Sequence, residues 1–244
     1  MHTTYFIADL HLTQERSDIT ECFLSFLLNE AVNAEKLYIL GDFFEFWVGD
    51  DDDDPFVLSI AAALKTLSES GTKIDFIVGN RDFLLGKRFC AKAGMTLLPD
   101  IQLIDLYGQP TVIMHGDSLC TMDVEYQKFR KKSRSWWWSN GIQCLPLFLR
   151  KKMARDYRQK ASLKQQNLTT DIMDVTPVEV VKLMEQQNSQ LLIHGHTHRP
   201  AVHSLITNNK PATRIVLGDW YEQGAWLKVT ESGYELLNQK FTHT

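Results

Sequence analysis

Residues 191–200 read LLIHGHTHRP. An apolar run leads in, three of the chain's eight histidines follow within five residues, and Arg199-Pro200 closes the stretch. The apolar run has the composition of a strand buried on both faces, the kind found in a sheet covered by helices. The histidines fall where that strand must end. In extended backbone, residues two apart point the same way, so His196 and His198 face one direction together.

Four other apolar, β-branched or aromatic runs stop on polar residues in the same manner. They are TYFIADLHL (4–12), KLYILGD (36–42), KIDFIVGNRD (73–82) and PTVIMHGD (110–117). Helical periodicity fills 19–29, 56–70 and 84–93, with Gly71 and Gly94 placed as C-caps. Strand–helix–strand alternation predicts an α/β fold of mixed sheets flanked by helices. TRIVLGD, AWLKVT and YELLN near the C-terminus predict further strands in antiparallel order. From residue 122 to 187 the strand signal vanishes, and the chain becomes helical, basic and aromatic. The predicted organisation is therefore a core of 1–121 and 188–244, interrupted by a helical lid insertion at 122–187. GDDDDDP (49–55) reads as a solvated turn capping the helix that follows Pro55.

Charge separates the insertion from the rest. Residues 128–164 hold twelve Lys or Arg against the single acid Asp156, a balance of +11, so the remainder carries −15 of the net −4. Such asymmetry points to an anionic partner for the basic segment. No apolar stretch approaches the roughly 18–20 residues of a membrane span, and MHTTYFIADLHL lacks a signal-peptide pattern. Cys22, Cys90, Cys120 and Cys144 are scattered, with no C-x-x-C pair, which predicts buried thiols in a reducing compartment.

The strand-ending residues carry the chemistry. Loops after strand C-termini gather along one edge of such a sheet, so Asp9, His11, Asp42, Asn80, Arg81, His115, His194, His196 and His198 are predicted to converge. The donors are carboxylates, imidazoles and one amide, without a thiolate. That set suits Mn²⁺, Fe²⁺ or Zn²⁺, and it is large enough for two ions sharing one aspartate.

The series D-x-H, G-D, G-N, H-G and G-H-x-H resembles the calcineurin-like metallophosphoesterases. FIADLHL, LYILGDFFEFWVGDD, GNRDFLLGKRF, MTLLPD, HGDSLC, IMDV and LIHGHTHRPAVH are similar to a branch of that family acting on a lipid-linked UDP-sugar in lipid A biosynthesis. The resemblance implies the metallophosphoesterase sandwich and two Mn²⁺ per chain, with Fe²⁺ or another divalent metal accepted. One ion would be held by Asp9, His11, Asp42 and His198, the other by Asp42, Asn80, His115 and His196, with His194 either structural or supporting a ligand from behind. Asp42, Asn80, Arg81 and His115 would be catalytic. Asn80, Arg81, Asp123, Tyr126 and His196 would touch substrate. The implied reaction is hydrolysis of a pyrophosphate by metal-activated water, giving UMP and a diacyl sugar 1-phosphate. The alternative is a dimetal phosphodiesterase or nucleotide pyrophosphatase with a soluble substrate. The expected setting is cytoplasmic, peripheral on the cytoplasmic face of the inner membrane of a Gram-negative bacterium.

Many relatives carry a histidine after the G-N pair, where this chain has Arg81. Arginine cannot donate a proton usefully but can clamp phosphate oxygens with its fork; a salt bridge to Asp82 is the plainer reading. Within the insertion, KKSRSWWWSNGIQCLPLFLRKKMARDYRQK (131–160) interleaves tryptophans with bases, as an interfacial helix does. Nucleic-acid tracking and ordinary packing are the competing readings. The resemblance favours an anionic membrane surface, with no nucleic acid and no obligate protein partner. Ala161, Gln165 and Leu168 stand where relatives have hydroxyl, amide and lysine contacts, with Ser162, Lys164 and Asn167 each one residue away.

Overall fold

A computed structural model of the protein describes residues 2–165 and 174–241, and the side chains among them other than those of 159–165. The first half alternates β1 (Thr3–Ile7), α1 (Ser17–Asn29), β2 (Lys36–Leu40), α2 (Pro55–Glu69), β3 (Lys73–Ile77), α3 (Lys87–Ala93) and β4 (Met95–Leu97). A hairpin of β5 (Ile101–Leu106) and β6 (Gln109–Met114) leads to three successive helices, α4 (Val124–Ser133), α5 (Trp136–Gln143) and α6 (Leu147–Gln165). The chain returns through α7 (Pro177–Gln186), β7 (Leu191–His194), β8 (Ala201–Thr207), β9 (Lys210–Val216), β10 (Gln223–Thr230) and β11 (Gly233–Lys240).

These strands form two sheets rather than one. The six-stranded sheet has the order β11-β10-β1-β2-β3-β4, and the five-stranded sheet β5-β6-β7-β9-β8. The sheets stack through Phe6, Tyr38 and Leu40 on one side and Ile113, Ile193 and Ile215 on the other. Phe23, Phe26, Ile60 and Leu64 of α1 and α2 cover the outer face of the first sheet. The outer face of the second is covered by α7, whose Val180, Leu183 and Met184 pack on Val112, Met114 and Leu192. Four layers result, and the parallel strands β1, β2, β3, β6 and β7 all deliver their C-terminal ends toward one edge.

The structure corrects the sequence reading in three places. The segment assigned to the lid, 122–187, is too long at its C-terminal end. The apolar face of α7 closes the core of the second sheet, so α7 belongs to the sandwich. The C-terminal strands are not uniformly antiparallel: β9 runs parallel to β7 and antiparallel to β8, while β10 and β11 join the other sheet. The third correction concerns the acidic loop, which is more than a solvated turn. Asp54 does cap α2 by accepting from the Phe56 N–H at 3.0 Å. Asp50, however, accepts from the Gly86 and Phe89 N–H groups, Asp51 pairs with Arg150, and Asp52 pairs with Lys151 at 2.9 Å.

The three insertion helices are thus fastened at both ends. Arg130 and Arg134 of α4 and its C-cap reach the Asp117 carboxylate at 2.8 and 3.3 Å and the Asp100 carboxylate at 2.8 and 2.6 Å. Arg150, Lys151 and Arg158 of α6 pair with Asp51, Asp52 and Glu45. Five of the segment's twelve bases are therefore paired with core carboxylates. The tryptophans divide: Trp136 and Trp137 are 80% and 61% exposed, whereas Trp138 turns inward against Phe83 and Phe129. Cys22, Cys90 and Cys120 are buried free thiols, as expected, while Cys144 is exposed.

Candidate metal centre

Each strand end hands its polar residues to the same edge through a sharply turned loop. Among the nine described non-glycine residues with positive φ, five are Asp9 (56°), His11 (53°), Asp42 (50°), His196 (70°) and His198 (55°). The other four, Tyr107, Asn188, Asn208 and Asn209, lie away from this edge. Two glycines make the close approaches feasible. A Cβ on Gly79 would stand 2.2 Å from Asp42 Oδ1, and one on Gly195 would stand 2.4 Å from Asp9 Oδ2. The Asp82 carboxylate accepts from the backbone N–H groups of Asp42, Phe43 and Gly79, locking the second and third loops together. Burial, with Asp42 alongside, raises the Asp82 carboxyl to about 7.

Two groups of donor atoms converge, each within 4.8 Å of one another: Asp9, His11 and His198, and Asp9, Asp42 and His115. The carboxylate common to both is Asp9. His198 Nε2 lies 3.4 Å from Asp9 Oδ1 and 3.4 Å from His11 Nε2. His115 Nε2 lies 3.6 Å from Asp42 Oδ1 and 2.9 Å from Asn80 Oδ1. The His196 ring sits 5.0 Å from that of His115, and its backbone N–H donates to Asp9 Oδ2 at 2.7 Å. All seven residues expected to hold metal are therefore brought to one edge. His194 is not: its Nδ1 meets the Gly195 carbonyl at 2.8 Å in the buried interior.

The donors fit divalent cations. Asp9 Oδ1 is buried and takes no hydrogen bond, its positive neighbour being His198 Nε2 at 3.4 Å, so the oxygen retains lone pairs free for a cation. His115 Nδ1 is 2.8 Å from the Leu40 carbonyl, to which it donates. Its Nε2 then faces the Asn80 oxygen, an arrangement that requires a proton or a cation between two lone pairs. Burial, and then the nearby His115, depress His196 to about 3, leaving it in the neutral form that ligates. Burial would lower His198 too, but Asp9 and Asp219 hold it up to about 10. The same imidazole keeps Asp9 well below the usual carboxylate range despite burial.

Beside this cluster lies a cavity of about 650 Å³ between core and insertion. Its lining includes Asp42, Asn80, Arg81 and His196 together with Trp47, Phe83, Phe129, Trp138 and Ile142, of which Phe83, Phe129 and Trp138 pack against one another. Arg81 is not paired with Asp82. Its Nε is 3.4 Å from Asp42 Oδ2, and its fork meets Glu45, because Asp82 is already filled by backbone donors. Glu45 also holds Arg158 of α6, so two guanidinium groups of the lining meet at one carboxylate. Asp123 and Tyr126 both line the cavity. Asp123 caps α4 by accepting from the Tyr126 N–H at 2.9 Å, and the Tyr126 hydroxyl donates to Asp117 at 2.5 Å. Ala161, Gln165 and Leu168 lie outside the described side chains.

The sequence reading passed over several site residues. Asp117, ending HGD, carries the lid's arginines and Tyr126. Glu45 had only its nearness to Asp42 to mark it. Asp219 and Tyr221 follow the strand TRIVLGD, whose Gly-Asp ending repeats that of KLYILGD. Asp219 Oδ2 lies 3.1 Å from His198 Nδ1, and the Tyr221 ring stacks on His11 at 5.1 Å.

Comparison with known proteins agrees with this geometry. The profile of the calcineurin-like phosphoesterases matches residues 2–200. A protein of Photobacterium profundum named UDP-2,3-diacylglucosamine hydrolase is 52% identical over 98% of this chain and 98% of its own length. Proteins of the same name from Marinobacter nauticus and Escherichia coli O7:K1 are 54% and 51% identical; the first match covers 94% of both chains, the second 98% of this chain and 99% of the other.

Proposed function

This chain belongs to the calcineurin-like phosphoesterase family, and on that premise we propose that it hydrolyses the pyrophosphate of UDP-2,3-diacylglucosamine, releasing UMP and 2,3-diacylglucosamine 1-phosphate for lipid A biosynthesis. The observation that carries this reading is the two-natured cavity. Its lining joins residues of the metal-ligand cluster and two arginines to an aromatic and aliphatic surface. A nucleotide-linked lipid combines the same two chemistries.

In the proposed site, Asp9, His11, Asp42 and His198 would hold one divalent ion, and Asp42, Asn80, His115 and His196 a second; Asp9 reaches both donor groups in the structure, and Asp42 is assigned the shared place by the family pattern, with Mn²⁺ the expected metal. Bound there, the ions supply an acidified water and positive charge against phosphate oxygens. The protein's own residues orient and neutralise. Arg81, already aimed along the cluster by Glu45 and Asp42, offers a bidentate fork to a phosphate oxygen pair. The leaving phosphate is a stable anion, so the site functions without a general acid at position 81. Asp123 and Tyr126 form the wall at which the glucosamine lies. The Phe83, Phe129 and Trp138 surface takes acyl chain and excludes water from the reacting end.

We place the lid at 122–165, and we place the protein peripherally on an anionic inner-membrane surface. Trp136, Trp137 and Phe148 are exposed beside Lys131, Lys132 and Lys152, an interfacial composition. No described helix is long and apolar enough to cross a membrane. Sedimentation with anionic vesicles is expected to weaken as salt screens the attraction, and replacing Trp136 and Trp137 with Ser should weaken it further. Binding indifferent to both changes would remove the membrane from this account.

The test of function is turnover of the purified chain with Mn²⁺ on the diacylated UDP-sugar and on UDP-N-acetylglucosamine. The lipid should be preferred by about 10²-fold or more in kcat/KM, since binding energy from the acyl chains is available only to it. Equal or faster cleavage of the soluble compound would replace this reading with that of a soluble-substrate pyrophosphatase.

A further inference from the structure

The turn at residues 218–221 carries a part of the site outside the five motifs that supply the expected ligands. Trp220 anchors it, fully buried among Phe23, Phe26 and Trp226. Its backbone is tied to the candidate metal loops, since Trp220 N–H donates to the Asp9 carbonyl at 3.2 Å and Leu217 N–H to the His194 carbonyl at 2.8 Å. Asp219, thus held, uses both carboxylate oxygens. Oδ1 accepts from the Tyr221 N–H at 3.3 Å, and Oδ2 lies 3.1 Å from His198 Nδ1.

We infer that Asp219 is the positioning residue for His198: by accepting the Nδ1 proton it fixes the tautomer whose Nε2 lone pair faces Asp9 and His11. The inference rests on the reading of His198 as a metal ligand. Its physical basis is a two-sided imidazole. One nitrogen points into a group of donors 3.4 Å away, and the other points at a carboxylate paired with no other side chain among the described residues. Without Asp219 the Nδ1–H tautomer loses its acceptor. The competing tautomer, with hydrogen on Nε2, cannot ligate. A carboxylate in this place also makes the imidazole a stronger donor toward a cation, and removing such partners costs about 10- to 100-fold in metal affinity.

The experiment uses the full chain stripped by chelator and titrated calorimetrically with Mn²⁺ alone. The parent should take up two ions. Asp219→Ala should weaken one of them by about 10- to 100-fold and leave the other unchanged. Asp219→Asn, which keeps an acceptor but no charge, should fall between the two and serves if the alanine variant folds poorly. His198→Ala should weaken the same ion at least as much, and adding Asp219→Ala to it should cost nothing further, because Asp219 acts through His198. Parent-like binding in Asp219→Ala or Asp219→Asn overturns the inference, as does full additivity in the double variant. A parent that binds no ion overturns the metal-site reading itself, a distinct result from the first two.

Discussion

Asp42→Ala is expected to abolish turnover, by roughly three orders of magnitude or more, the scale on which metal and charge stabilisation at phosphorus operates. Asp42 is buried, lies 3.6 Å from His115 Nε2, and accepts the Arg81 N–H at 2.8 Å. It is the residue proposed to serve both ions. The alanine removes a shared anion and an acceptor that shapes the Asn80 loop, so metal content should fall with activity. Asp42→Asn preserves the hydrogen bond from Arg81 and separates the two causes: activity and metal should still be lost if charge is what matters. Elemental analysis of both variants, read beside their turnover, decides it. Two ions retained with near-parent activity in Asp42→Ala would end the shared-aspartate account.

Arg81→Ala should cut kcat by about 10²- to 10³-fold, the cost of removing one preorganised donor from developing charge, while both ions stay bound. The separation is expected because Arg81 neutralises Asp42 and Glu45 and donates to neither proposed metal. Deleting its charge leaves the carboxylates more, not less, attractive to cations. Arg81→Lys should recover part of the loss, since a point charge returns without the fork. Full activity in the alanine variant would confine Arg81 to holding Glu45, and through Glu45 the Arg158 end of the lid.

The residues that proved easiest to read from sequence were those whose neighbours are wholly apolar. Asp9, Asp42, Asn80, His115, His196 and His198 each interrupt a run buried on both faces, and a polar residue there has few explanations. Asp219 obeys the same rule after TRIVLGD, but it serves a histidine rather than converging on the cluster, so an inventory of ligands has no place for it. Glu45 and Arg158 meet across 113 positions of sequence, a contact that spacing cannot signal. The division into two sheets was also illegible. A strand such as Leu191–His194 is buried on both faces whichever sheet holds it, and apolar composition records burial without recording the partner. β5 was missed because its apolar residues do not follow its exposure: it alternates along a sheet edge, and Ile101 and Leu103 face outward. The lid's boundary was misplaced at α7 because an amphipathic helix looks alike on a core and on a lid.

The left-handed backbone at Asp9, His11, Asp42, His196 and His198 has a consequence for when the work of building the centre is done. Asp and His enter that region more readily than most L-residues, yet five of them gathered at one edge are a conformation that the surrounding fold must hold. The two packed sheets hold these loops, and the Asp82 carboxylate fixes the one at Asp42. Preorganisation of this kind leaves little to rearrange afterwards. Chelation should lower the melting temperature and yet leave the loops in the same shape, a rigid empty frame in place of a collapsed one.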